Sequence, residues 1–291
     1  MIYRTAQDWQ AAPHKRIALF GMSGLGKTYL SALMRDTGDW FHYSVDFRIG
    51  TRYMGEHIVD NFKREAMRNP FLRELLMSDS LYIASNISFN NLNPLSTYLG
   101  KPGDPAKGGI PFEEYVARQR QHRIAEVEAT KDALLFADKA ANIYGYPHFI
   151  CDTSGSICEV VDPEDAADPV LSTLSAKILP IWIKGTQAHV DALCTRFAVA
   201  PKPMYYNEDF LRAIWDRFCH ETQVGPDHVD PDAFIRYGFR QLMDHRLPIY
   251  EAIARNWGLT LAADDVAQVR SAHDFEHLVT AALPSGAKAV I

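Results

Sequence analysis

Four residues in one short stretch are of the types, and at the spacing, that handle phosphate. Gly21, Gly26, Lys27 and Thr28 fit the pattern G-x-x-x-x-G-K-[ST] within residues 16–33, RIALFGMSGLGKTYLSAL. The pattern has a mechanism: a glycine turn aims backbone N–H groups inward, a helix N-terminus adds its positive dipole end, and the lysine supplies a point charge. The threonine hydroxyl would ligate Mg²⁺. Glycine is required at 21, 24 and 26, where a Cβ would block close approach or forbid a positive φ. The flanks suit this use, because Ile17, Ala18, Leu19 and Phe20 read as a buried strand and Leu30, Leu33 and Met34 recur at helical spacing. A nucleoside triphosphate is the expected ligand, held by Gly21, Met22, Ser23, Gly24, Leu25, Gly26, Lys27, Thr28 and Tyr29.

A triphosphate site also needs an acid to hold the Mg²⁺ shell. Asp152 is the candidate, since it ends the apolar run Phe149-Ile150-Cys151. The residue after it is Thr153, where many hydrolases of this kind carry a water-activating Glu, and this favours transfer to a bound acceptor over a motor ATPase. No N-K-x-D or T-K-x-D guanine-reading motif is present, which points to ATP rather than GTP. Asp46 is expected near the carboxyl end of a second strand, where a carboxylate would orient or deprotonate an acceptor hydroxyl. Arg48 and Arg52 follow within a turn and would suit an anionic acceptor.

The elements that must position these residues can be read from periodicity. Strands are expected at 17–20, 42–47, 148–151, 178–183 and 259–262. Helices are expected after the phosphate loop and over 163–177, 186–197, 208–219, 231–245, 248–257 and 271–282. Gly258 would take the left-handed position after a helix end. Residues 1–15 read as a polar lead-in. Strands alternating with helices predict an α/β fold, three-layer α/β/α, with a five-stranded parallel sheet in one domain over 1–291. Residues 52–146 carry helical stripes and no strand of comparable strength, and read as a helical insertion between strands two and three. Within them, the Gly- and Pro-rich run at 100–110 is a candidate mobile loop, and Pro111 with Glu113 and Glu114 marks a helix start.

The order of these features resembles the shikimate kinase and nucleoside monophosphate kinase group of P-loop kinases. Besides the phosphate loop, the matching stretches are Ser44-Val45-Asp46 against D-x-D, Thr153-Ser154-Gly155-Ser156 against T-G-G-G, Arg196, and Lys202-Pro203-Met204-Tyr205 against R-P-L-L. Arg246-Leu247-Pro248-Ile249-Tyr250-Glu251 is similar to R-x-P-x-Y-x-E. The resemblance implies the P-loop NTPase fold. It also implies that Asp46 contacts the acceptor hydroxyl, Ser154 and Gly155 line the acceptor pocket, Arg196 reaches the phosphates from a lid, and Lys202 faces the acceptor. Ser44 replaces the first acid, two glycines of the triple are serines, and Lys202 replaces an arginine. The stretch from Arg196 to Lys202 is short for a lid. These departures argue against shikimate as the acceptor.

Bulk properties narrow the partners. With 291 residues, 47% hydrophobic and 23% charged, the chain can build a sizeable core. A formal net charge of −6 is not that of a nucleic-acid or membrane-surface protein. The four cysteines form no C-x-x-C pair, the N-terminus has no signal-peptide pattern, and a reducing cytoplasm is the simplest setting. His273 and His277 lack the H-E-x-x-H order and read as a helix face. The sequence therefore predicts an ATP- and Mg²⁺-dependent phosphotransferase acting on a small, anionic acceptor. The alternative is an ATP-binding regulatory or assembly ATPase whose helical insertion contacts a protein partner; a homodimer is a separate option. A third option is an ATPase drawing its Glu from Glu56 or Glu113.

Overall fold

The computed structural model describes residues 2–285. In chain order its elements are α1 (Ala6–Ala11), β1 (Arg16–Phe20), α2 (Lys27–Arg35), β2 (Trp40–Ser44), α3 (Val45–Arg48), a π-helical turn (Ile49–Tyr53), α4 (Gly55–Ala66), α5 (Pro70–Met77), α6 (Asn93–Leu99) and α7 (Phe112–Asn142). Then follow β3 (His148–Asp152), α8 (Leu171–Ser175), β4 (Leu179–Lys184), α9 (Gln187–Val199), α10 (Glu208–Thr222), α11 (Pro231–Trp257), β5 (Leu259–Ala262), α12 (Ala263–Val266) and α13 (Ala272–Ala282). The chain packs as two units. The first comprises Met1–Val45, Thr130–Val199 and Phe239–Ile291; the second comprises Asp46–Ala129 and Ala200–Gly238.

The first unit is α/β. Its five strands form one all-parallel sheet in the order β2-β3-β1-β4-β5, as an α/β/α layering requires. Ile17, Ala18 and Leu19 of β1 and Ile181 and Ile183 of β4 are wholly buried. Strands covered on both faces read as continuous apolar runs, which is why these were visible in sequence. β1 lies centrally, and the sheet grows from it through β3 on one side and β4 on the other. The loop after β1 therefore opens at the carboxyl edge, where α/β sheets bind ligands.

Several elements differ from the sequence expectation. The second strand spans Trp40–Ser44, and Asp46 lies in the first turn of α3, where an acid complements the helix dipole. Residues 163–170 are not helical. The Asp168 carboxylate accepts from the N–H groups of Asp162, Val170 and Leu171, an alternative to helical pairing that leaves only α8. α11 is one helix with Pro248 inside it, held on either side of the proline by buried Leu242, Met243, Arg246 and Tyr250. Gly258 does not have positive φ; glycine is needed there because a Cβ would come within 2.2 Å of the Pro180 carbonyl oxygen. The polar lead-in contains α1, capped by Thr5 and Asp8 in a reciprocal box, with Trp9 fully buried.

The second unit is helical. The segment at 204–206 is pinned to α7: Tyr115 and Gln119 donate to the Met204 carbonyl at 2.6 and 3.2 Å, and Gln119 accepts from the Tyr206 N–H at 2.9 Å. His122 stacks on Tyr205 with centroids 4.6 Å apart. On the surface, Arg120 and Arg212 grip Glu208, and the hydrogen bonds from Arg120 lead in holding its carboxyl down to about 2. The loop at 100–110 is tied down rather than loose. Gly103 N–H donates to Ile110, Asp104 N–H donates to Val229 at 2.8 Å, and Lys101 pairs with Asp232 at 2.5 Å.

Candidate functional site at the carboxyl edge of the sheet

The glycine loop between β1 and α2 has the conformation its composition demands. Gly21, Gly24 and Gly26 have φ of 129°, 82° and 94°. A Cβ on Gly21 would also lie 2.8 Å from the Ile183 carbonyl oxygen, so the loop is pressed against β4. Among the described residues, the N–H groups of Ser23, Gly24, Leu25 and Gly26 donate to no protein acceptor. Backbone donors in a partly buried loop need a partner, and an anion seated at this turn would supply one. Lys27 is buried, and its ammonium donates to the carbonyls of Gly21 at 2.8 Å and Met22 at 3.1 Å. The charge is thus held within the turn of the loop.

Asp152 ends β3 beside this loop. The Thr28 hydroxyl donates to its Oδ2 at 2.7 Å. Burial raises the Asp152 pKa, against the opposing pull of the Lys27 charge and the Thr28 hydrogen bond. A hydroxyl and a carboxylate oxygen this close, with the carboxylate starved of solvent, make the hard-oxygen donor pair that Mg²⁺ takes. The residues present fit that ion.

Beyond Asp152 the chain turns back under the glycine loop. Thr153 is buried and donates to the Leu19 carbonyl at 2.9 Å. A Cβ on Gly155 would lie 2.8 Å from Ser23 Oγ, so the two loops touch. The Ser154 and Ser156 hydroxyls lie 3.2 Å apart. The Gly155 carbonyl accepts from the Tyr250 hydroxyl and from Arg246 Nη1. Arg246 in turn donates to Glu159 at 2.7 Å, and His245 Nε2 lies 3.5 Å from the same carboxylate. Burial, the largest single influence, would raise the Glu159 pKa, but the charges and hydrogen bonds of Arg246 and His245 together outweigh it and the carboxyl titrates below its ordinary range. This clamp was not assigned from sequence. Its R-x-P-x-Y signal was visible, but its partner Glu159 lies 87 positions away.

Arg196, on α9, also reaches the glycine loop: a Cβ on Gly24 would lie 3.1 Å from its Nη2. A cavity of about 390 Å³ opens on the same loop, lined by Gly24, Leu25, Gly26, Tyr29, His189, Ala263, Val266, Ala267 and Arg270. Tyr29 is 60% exposed there. His189 and Arg270 had no sequence signal, because the cavity exists only once α12 follows β5 back to the loop.

The structure thus brings together Gly21 to Tyr29, Asp152, Ser154, Gly155 and Arg196. The other expected residues belong to the second unit. Asp46 is half-buried in α3, Arg48 packs over the Tyr53 ring at 5.7 Å, and Lys202 is exposed. Arg52 lines a separate polar cleft of about 630 Å³ with Glu56, Asp60 and Lys63.

No known protein-family model matches the chain, and no curated protein matches it. Among the described residues, no group of His, Cys, Asp and Glu is arranged to hold a metal by itself, the four cysteines form no disulfide, and no helix is long and apolar enough to cross a membrane.

Proposed function

We propose that the protein is an ATP- and Mg²⁺-dependent phosphotransferase of P-loop type acting on a small, anionic acceptor. One observation carries the reading: the glycine loop holds four N–H groups with no protein acceptor, from Ser23 to Gly26, and a buried lysine that donates to the loop's own carbonyls, with the Thr28–Asp152 oxygen pair at the start of the next helix. In this reading the loop N–H groups and Lys27 bind the β- and γ-phosphates, and Arg196 neutralises charge from the other side of the loop. Thr28 and Asp152 would hold Mg²⁺, which would supply positive charge against that of the phosphates. The cavity beside Tyr29 takes the base, its floor of Ala263, Val266 and Ala267 suiting a planar ring.

Transfer is favoured over hydrolysis by what surrounds Asp152. The next residue is a buried Thr already engaged with Leu19, and Glu159, the buried acid of the same segment, is occupied by Arg246. Neither is placed to activate water. Asp46 and Lys202 are assigned to the acceptor by the resemblance to the kinase group alone, and Arg48 by the match of a guanidinium to an anion. An acceptor screen with ATP and Mg²⁺ tests the reading: a phosphorylated product should form, with little phosphate release when no acceptor is added. Full-rate phosphate release without acceptor, and no product in the screen, would overturn it.

A second reading, an ATP-regulated assembly protein, is favoured by one feature. α5 of the second unit carries six apolar residues in eight and buries none of them. Partner capture that requires ATP would support it, and capture indifferent to nucleotide would not.

A further inference from the structure

After α5 the chain runs from Ser80 to Ile87 without a helix, turn or bend. Side-chain exposure alternates with a period of two over this run: Ser80, Tyr82, Ala84, Asn86 and Ser88 are exposed, while Leu81, Ile83, Ser85 and Ile87 are half-buried. That period is the signature of a β-strand. The run is anchored at its end, where Ile87 Cδ1 lies 3.0 Å from a Cβ placed on Gly50 and Phe89 stacks on Phe47 at 4.8 Å. At its start the N–H groups of Ser80 and Leu81 donate to the Leu75 carbonyl. Among the described residues, Tyr82, Ile83, Ala84, Ser85 and Ile87 make no main-chain hydrogen bond, and Asn86 accepts only from the Asn91 side chain. A strand with bare donors and acceptors on both edges is a template for another strand.

We propose that residues 81–87 pair antiparallel with the same segment of a second copy, forming a two-fold homodimer. Three observations select that occupant. An unpaired strand edge is completed by another extended backbone, and antiparallel pairing of identical segments closes on a two-fold axis. The stretch between Asp79 and Lys101 contains no charged residue, so two copies meet there without like-charge repulsion although each carries a formal −6. The cleft flanking Tyr82, Ala84 and Ser85 is open, and its walls are balanced, with Arg52 and Lys63 against Glu56 and Asp60, so a neutral strand fits it better than a charged one. With the axis at Ala84, Tyr82 faces Asn86 and Ser80 faces Ser88 across the pair. The apolar surface of α5, with Phe71 67% and Met77 74% exposed, directly precedes the strand and extends the same neutral face.

Mass measurement by light scattering across a concentration series tests this on the full chain. The wild type should run at twice 32.8 kDa. Ala84→Asp, which sets two carboxylates on the axis, should weaken association by at least ~10-fold. Ala84→Pro and Ser85→Pro remove N–H groups that point to opposite edges, and one of the two should do the same. Nucleotide binding should be unchanged in all three. A wild type that stays monomeric at every concentration overturns the proposal, as does a dimer that none of the three variants weakens. A monomer whose 81–87 segment cross-links to a different polypeptide also overturns it. Should the variants fold poorly, amide exchange on the wild type decides: every second amide of 82–87, those on the paired edge, should slow only at concentrations where the dimer forms, and exchange independent of concentration contradicts the pairing.

Discussion

The two units place their unsatisfied backbone very differently. In the sheet unit, the N–H groups of Ser23, Gly24, Leu25 and Gly26, which find no protein acceptor, are gathered in one glycine turn beside Lys27 and Asp152. In the helical unit the unpaired groups are spread along an open strand, beside a helix that buries no side chain. Concentrated donors with fixed charge suit a small anion. Dispersed donors beside apolar surface suit another polypeptide. The charged pairs follow the same division. Arg246 and Glu159 are 4% and 0% exposed at the side chain, whereas Arg120 and Glu208 are 61% and 30% exposed.

That contrast can be broken most sharply at the charged pairs. Glu159→Ala leaves Arg246 buried without its carboxylate and should cost about 3–5 kcal/mol in denaturant unfolding. Glu208→Ala on the surface of the helical unit should cost far less, and its effect should vanish at high salt. Equal losses from the two variants would erase the distinction.

Next in size is Lys27→Ala. It should lower nucleotide affinity by about 100-fold, roughly 2.7 kcal/mol, while the melting curve keeps its cooperativity. Retained affinity would remove the glycine turn from the binding account.

His42, buried in β2, is lowered to about 4, chiefly by burial and secondarily by the Arg35 charge. Its folded pKa lies below the unfolded value of 6.5, so the unfolded chain binds more protons between these two values. Stability from this group is therefore full above pH 6.5 and falls as pH drops toward 4, by about 2 kcal/mol at pH 5. Unfolding curves at pH 7.5 and pH 5 check this, and His42→Gln should flatten the difference.

The smallest effect is expected at Asp152. Its carboxylate is held against a desolvation cost, so Asp152→Asn should slightly raise the melting temperature of the ligand-free protein. The same variant should lose the additional stabilisation that Mg²⁺ gives with nucleotide. A destabilised variant would mean that the charge serves the fold.

What the sequence disclosed follows from the range of the forces involved. The glycine turn, the apolar strands β1 and β4, and α4 and α7 depend on near neighbours, so their patterns stand in the local sequence. Longer-range features did not. Pro248 marks a break by local rules, yet α11 continues through it because its buried face is held at both ends. Gly258 carries the mark of a helix cap, but its glycine is demanded by Pro180, 78 positions away. Asp46 looked like a strand-end acid, but the strand ends at Ser44, three residues early, and the chain turns into α3. The cavity beside Tyr29 and the clamp on Gly155 join segments that no local pattern connects.

The central claim, that the turn after β1 seats a triphosphate, is tested most directly by calorimetric titration of the full chain with a non-hydrolysable ATP analogue, with and without Mg²⁺, in wild type and Lys27→Ala. The account predicts saturable binding at one site per chain that strengthens with Mg²⁺ and is lost in the variant. No binding by the wild type, or equal binding by both proteins, would contradict it.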